Sequence, residues 1–204
     1  MTGLYKKIFA SFYDSFMHKT ERGLYKKRKS LIEPLRGRIL EVGSGTGINY
    51  QFYSKDAEIF ALDPNKSMLK RAEIKAPEDL LITYLNHKIC DEEIGKLIKQ
   101  GSLDAIVSTL VLCSVPDPEK AIKRFKYWLK PEGKLIILEH IHAENPINKR
   151  LQNIINPVWR PLSDGCNLNR NTDQLILDGG FTSTDSEYFV QSLRWVMGIY
   201  KVES

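Results

Sequence analysis

Leu40-Glu41-Val42-Gly43-Ser44-Gly45-Thr46-Gly47 is the stretch on which the reading of this chain turns. An apolar run of strand type feeds straight into a turn with glycine at every second position. Glycine stands where a backbone takes positive φ or comes close to a ligand. A glycine turn at the C-terminal end of a first strand lies where open α/β sheets hold ligands. The spacing separates ligand classes. The dinucleotide pattern G-x-G-x-x-G fails, because Ile48 follows Gly47. No G-x-x-x-x-G-K-[ST] occurs, which excludes a P-loop. What remains is E-x-G-x-G-x-G. Asp63 stands twenty residues beyond Gly43, at the end of the next apolar run. A carboxylate there can accept both hydroxyls of a ribose. The plain alternative is a tight β-to-α turn with Asp63 as a cap before Pro64, and it leaves the coincidence of loop, strand and acid unexplained.

Working outward, apolar runs at 38–42, 57–62, 80–85, 104–109 and 134–139 alternate with amphipathic stretches at 65–76, 92–100 and 118–129. Strands alternating with helices imply βαβ units and a parallel sheet covered on both faces. The continuous apolar character of the runs suits such buried strands. Residues 146–178 read as helical with interruptions at Pro157, Pro161 and Gly165. Runs at 181–190 and 193–202, joined by Gln191-Ser192, read as an antiparallel hairpin at the sheet edge. The first 35 residues read as helical up to Pro34, with Leu4, Ile8, Phe9, Phe12, Tyr13, Phe16 and Met17 on one face. The expected fold is α/β: a Rossmann-like, doubly wound, seven-stranded sheet, mostly parallel, with a C-terminal hairpin and helices on both faces.

A length of 204 residues, 42% of them hydrophobic, fits a single domain able to bury a sizeable core. No run approaches the length of a membrane span. No apolar leader with a cleavage site opens the chain. Cys90, Cys113 and Cys166 are scattered and form no C-x-x-C pair. A disulfide framework and a structural zinc site are therefore not expected. The chain reads as reduced and cytoplasmic. A net charge of +5 permits anionic partners without naming one. The basic run Lys26-Lys27-Arg28-Lys29 reads as a solvated helix face or a docking patch.

The stretch L-E-V-G-S-G-T-G resembles the S-adenosylmethionine loop of class I methyltransferases, and A-L-D-P-N-K-S-M-L resembles the ribose-binding step after it. Cys90-Asp91-Glu92-Glu93 stands where such enzymes hold the adenine. G-S-L-D-A-I-V-S-T-L and K-P-E-G-K-L-I-I-L-E are similarly typical. The resemblance covers residues 36–140. It implies S-adenosylmethionine as cofactor and S-adenosylhomocysteine as product. It implies a cofactor set of Tyr13, Glu41, Gly43, Ser44, Gly45, Gly47, Asp63, Pro64, Met68, Cys90, Asp91, Glu92, Thr109 and Leu110. A narrower resemblance rests on G-T-G-I-N-Y-Q-F-Y (45–53), T-L-V-L-C-S-V (109–115), L-E-H-I-H-A-E (138–144) and N-P-V-W-R-P-L-S-D-G-C-N-L-N-R (156–170). These are similar to the thiol S-methyltransferases of animal endoplasmic reticulum and their microbial relatives. Those animal proteins carry an N-terminal hydrophobic anchor. This chain shows only an amphipathic helix there, so membrane residence does not carry over. The division that follows is a single domain: 1–35 an N-terminal helical lid, 36–145 a cofactor-binding core, and 146–204 acceptor-side helices and terminal hairpin.

Methyl transfer from a sulfonium is an in-line displacement, so the protein mainly supplies orientation and a water-poor cavity. A thiol acceptor must become a thiolate, from an ordinary pKa of about 8.5. Histidine is the natural group to assist. His140, after the fifth run, is the candidate to face a small-molecule acceptor as base or positioning group. The alternative is a loop histidine bonded to backbone or water, which is the reading for His142. Asp164 reads as an Asx turn before Gly165. Cys113 and Cys166 read as buried apolar side chains, since direct transfer needs no covalent enzyme intermediate. The amphipathic N-terminus reads as a lid with Tyr13 near the methionine end of the cofactor, or as a peripheral membrane contact. Methylation of a lipid amine or a quinone is the alternative activity, and a non-catalytic cofactor-binding module is the alternative class. The fourth run ends without the N/D-P-P-Y/F pattern, and the basic residues lack an aromatic RNA-binding motif, so no nucleic-acid partner or substrate is expected.

Overall fold

The computed structural model describes residues 22–203. The expectations for Leu4–Met17, including the placement of Tyr13, lie outside the described residues. Seven strands form one sheet: β1 (Gly37–Val42), β2 (Ala57–Leu62), β3 (Leu81–Leu85), β4 (Leu103–Thr109), β5 (Leu129–Ile141), β6 (Phe181–Gln191) and β7 (Leu193–Val202). Their order is β3-β2-β1-β4-β5-β7-β6. The β1–β2, β1–β4, β2–β3 and β4–β5 pairs are parallel, and β7 runs antiparallel to both β5 and β6. The winding therefore reverses between β1 and β4. Loops leaving the C-terminal ends of those two strands part in opposite directions and open a crevice there. The helices are α1 (residues 22–32), α2 (Lys66–Lys75), α3 (Glu92–Leu97), α4 (Pro118–Trp128), α5 (Pro146–Leu162) and α6 (Thr172–Asp178).

The central strands are apolar on both sides because both faces are covered. Leu40, Leu62, Ile106 and Ile137 pack on one face with Ile122, Phe125 and Trp128 of α4. Ile39, Ile59, Val107 and Ile136 pack on the other with Leu24 and Ile32 of α1. Neighbours such as Ile39 and Leu40 point in opposite directions and are both fully buried. The run at 80–85 departs from this pattern. It forms the edge strand β3, where Leu81 is 63% exposed.

Three further differences from the sequence reading have local causes. β5 runs to Ile141, so His140 is a strand residue and not a loop residue. Pairing with β4 ends at Thr109↔Leu138, but β7 continues the ladder through Glu139↔Val196, His140↔Trp195 and Ile141↔Arg194. α5 passes unbroken through Pro157 and Pro161. A proline in a helix forfeits the bond its own nitrogen would donate, and both ends of α5 are secured elsewhere. The Asn145 side chain accepts from the N–H groups of Ile147 and Asn148, and the Gly165 N–H donates to the Arg160 carbonyl at 2.9 Å. Finally, α3 stops at Leu97 because Ile98 turns extended and buries its side chain. Among the described residues no helix is long and apolar enough to cross a membrane. α5 nonetheless turns Ile147, Ile154 and Val158 outward, each more than 60% exposed.

Candidate cofactor and acceptor site

The loop after β1 is shaped by what its glycines exclude. Gly43 has φ +63°, and a Cβ there would lie 2.4 Å from Cγ2 of Val111. Gly47 has φ +75°, and its Cβ would meet the Tyr50 ring at 2.6 Å. Both conformations are costly for any residue with a side chain. The loop is also fastened to its neighbours. The Ser44 N–H donates to the Leu62 carbonyl at 3.1 Å, and the Asp63 N–H donates to the Leu85 carbonyl. Asp63 sits 8% exposed at the end of β2. Its Oδ2 accepts from the Gly45 N–H at 2.9 Å and its Oδ1 from the Asn65 N–H at 2.7 Å. A carboxylate has about four acceptor sites, so each oxygen keeps one for a ligand.

Beneath the loop lies a buried polar network that the sequence reading missed. The Arg28 guanidinium, 3% exposed, donates to Asn49 Oδ1 at 2.9 Å and to Thr109 Oγ1 at 2.7 Å. Asn49 Nδ2 donates in turn to Glu41 Oε1 at 2.8 Å and to Thr109 Oγ1 at 3.1 Å. Two predicted site residues, Glu41 and Thr109, are thus tied to helix α1. Glu41 is 2% exposed. Burial pushes its carboxyl up from 4.5 to about 7, against the Asn49 hydrogen bond and the Arg28 charge, which lower it. The basic run 26–29 is not a uniform solvated face. Arg28 turns inward, while Lys27 pairs with Glu187 at 2.7 Å and lies 4.0 Å above the Phe189 ring.

The other predicted cofactor residues lie around the same crevice. Pro64 and Met68 are exposed where α2 begins. Asn86, which the sequence reading did not single out, donates to the carbonyls of Asp63 and Pro64 and holds the end of β3 to the end of β2. Asp91 accepts from the Lys88 N–H at 2.8 Å, and Glu92 opens α3 on the surface. The Cys90 thiol faces the Asp117 carbonyl at 3.5 Å. Leu110 takes φ +61° directly after β4 and turns the chain so that Val111 covers Gly43.

That turn is held from the end of β5 and from the loop after α5. Glu139 Oε1 accepts from the N–H groups of Val111 at 2.7 Å and Leu112 at 2.8 Å, and from Ser108 Oγ at 3.3 Å. Arg170 donates to the carbonyls of Leu112 and Val115. Asn167 grips the Cys113 carbonyl twice, through its backbone N–H at 3.0 Å and its Nδ2 at 2.8 Å. The result brings together three residues that the sequence treats separately. His140, 4% exposed, places Nε2 3.1 Å from the sulfur of Cys166, and Cys113 adjoins both. The Trp195 ring meets His140 edge-on at 5.9 Å. The Cys113 contact and His140 pull the Cys166 thiol well below its ordinary value despite burial. The same contact, and then burial, push Cys113 well up. His142 is also buried, with its N–H donating to the Arg170 carbonyl, so it is not a water-facing loop residue. Asp164, at φ +53°, forms part of the turn leading to Cys166.

The strand order, the glycine loop after β1 and the acid after β2 define a class I methyltransferase. Residues 40–137 match the family model described as a methyltransferase domain. Thiol S-methyltransferase TMT1B of Mus musculus is 30% identical over 209 residues, covering 96% of this chain and 86% of that protein. Two solved structures share the fold. The BH2331 protein of Bacillus halodurans C-125 has a TM-score of 0.70 at 12% identity, over 87% of this chain and 98% of that one. The arsenic(III) S-adenosylmethionine methyltransferase CrArsM of Chlamydomonas reinhardtii has 0.59 at 16% identity, over 82% and 63%. The chain belongs to the methyltransferase family that includes TMT1B, and it uses S-adenosylmethionine. The site fits that cofactor. Among the described residues a Cβ at Gly45 would meet nothing nearer than the Gly43 carbonyl oxygen at 3.9 Å. Ser44 Oγ and Glu41 Oε2 are buried without a hydrogen-bond partner among the described residues.

Proposed function

We propose that the enzyme methylates a small-molecule thiol, with residues 36–145 holding the cofactor and 146–204 shaping the acceptor side. Bound S-adenosylmethionine supplies a methyl group on a sulfonium, already activated for displacement. In this reading Asp63 accepts the ribose hydroxyls, and the backbone of Gly43–Gly47 lies against the methionine end. Glu41 and Thr109 back that end, and residues 86–92 flank the adenine. The observation that carries the thiol is the contact of His140 with Cys166 at 3.1 Å, in a nearly water-free place beside the turn that covers the glycine loop. A site that already seats sulfur against an imidazole suits an acceptor sulfur. His140 is assigned to that acceptor. The relative TMT1B, a thiol S-methyltransferase, supports the same class.

The test is a transfer screen with methyl-labelled S-adenosylmethionine over thiols, amines, phenols and phospholipid vesicles, with Asp63→Ala as the blank. Label on a thiol, lost in the blank and reduced in His140→Ala, is expected. Full turnover by His140→Ala across neutral pH would remove His140 from the site. The outward apolar residues of α5 favour a second reading, a lipid acceptor at a membrane surface. Label confined to vesicle lipid would establish that reading in place of the first.

A further inference from the structure

Cys113, His140 and Cys166 come from the turn after β4, the end of β5 and the loop after α5. Their three donor atoms all lie within 4.8 Å of one another. The missing C-x-x-C excludes only zinc ligands that are neighbours in the chain. Here the fold assembles the set. Tetrahedral zinc takes sulfur at about 2.3 Å and imidazole nitrogen at about 2.0–2.1 Å, which places the donors about 3.5–3.8 Å apart. The present Nε2–Sγ separation of 3.1 Å is that of a hydrogen bond. Opening it by about half an ångström admits the ion.

We propose that Cys113, His140 and Cys166 bind a thiophilic divalent cation of the zinc type. Two thiolates and a neutral imidazole balance its charge and select it over magnesium or calcium, which demand oxygen ligands. The surroundings fix the two cysteine segments in advance, as supporting groups around metal sites do. Glu139 and Arg170 hold the turn that carries Cys113, from opposite sides. Asn167, next to Cys166, binds the Cys113 carbonyl and so locks the two cysteine segments together. Among the described residues the group offers three protein ligands. Three ligands and an open fourth position is the arrangement of reactive zinc, whereas structural zinc is closed by four.

Resting on the thiol reading above, the fourth position takes the acceptor sulfur. The acceptor S–H gives its proton to water and its thiolate occupies the position. The new sulfur–methyl bond forms as the sulfonium–methyl bond breaks. The neutral thioether, a poorer ligand, then leaves beside S-adenosylhomocysteine.

The experiment titrates Cd2+ into the reduced, chelator-treated full chain, without cofactor or acceptor. Sulfur-to-cadmium charge-transfer absorption reports the site. One ion per chain is expected, with binding weakened at least about tenfold in Cys113→Ser and in Cys166→Ser and unchanged in Cys90→Ser. Far-ultraviolet circular dichroism shows that each variant is folded. Absence of saturable uptake would overturn the site, as would uptake unchanged in Cys113→Ser. A Cys113–Cys166 disulfide whose reduction restores no uptake would do the same. A chain that methylates thiols yet takes up no Cd2+ loses this inference alone. A chain that takes up Cd2+ but methylates no thiol keeps the metal site and loses the thiol reading.

Discussion

Glu41→Gln tests the buried network under the glycine loop. The Glu41 carboxyl titrates at 4.5 when solvated and at about 7 in the folded chain, because burial disfavours its charge. Below pH 4.5 it is protonated in both states and costs nothing. Between 4.5 and about 7 the unfolded chain ionises while the folded chain stays protonated, so stability falls as pH rises. Above about 7 the loss is complete. At about 1.4 kcal/mol per pH unit the full effect is about 3 kcal/mol. Glutamine keeps an acceptor for Asn49 Nδ2 and has no proton to lose. The assay is urea denaturation of both proteins without cofactor at pH 5, 6, 7 and 8. The expected result is that the variant gains on the parent steadily up to pH 7 and by a constant amount beyond it. Parallel profiles over the whole range would refute the reasoning, since every other titrating group is shared.

Gly43→Ala forces a side chain into φ +63° and against Val111. It should cost about 1–2 kcal/mol of stability and weaken S-adenosylmethionine at least about tenfold, both readable by calorimetry. Arg28→Leu strips the buried Asn49 and Thr109 of a charged donor, and a loss of about 3 kcal/mol in urea denaturation is expected. A change below about 0.5 kcal/mol would show that the network is not structural. Asp63→Asn removes the charge and replaces one oxygen with a donor, so cofactor affinity should fall about ten- to a hundredfold, while the folded far-ultraviolet spectrum stays unchanged.

The strand runs, their parallel pairing and the glycine loop with Asp63 were legible because each is local. Apolar runs of buried strands and the spacing of a turn are written in consecutive residues. Arg28 was read with its charged neighbours, and only the packing of α1 shows that its side chain turns inward to Asn49 and Thr109. The apolar run of β5 ends at Glu139 in the sequence, which puts His140 in a loop, because the partner that lengthens the strand, β7, lies far along the chain. Cys113 and Cys166 stand more than fifty residues apart in the sequence, so each reads as a lone thiol. The three stretches of the narrower resemblance that lie beyond the glycine loop each carry one member of the Cys113, His140 and Cys166 cluster. Nothing short of the fold shows that those members touch.

The placement of β7 between β5 and β6 bears on how the chain is made. Residues 194–196, which pair with the last residues of β5, are translated more than fifty residues after them. While synthesis proceeds, Glu139, His140 and Ile141 form an open sheet edge, and the nascent chain carries an unfinished ladder. The parallel pairings are in hand by residue 138, whereas the last residues of β5 wait for the hairpin to slot in. A ribosome stalled before Arg194 would therefore display the parallel strands and the glycine loop, with His140 on an edge not yet closed.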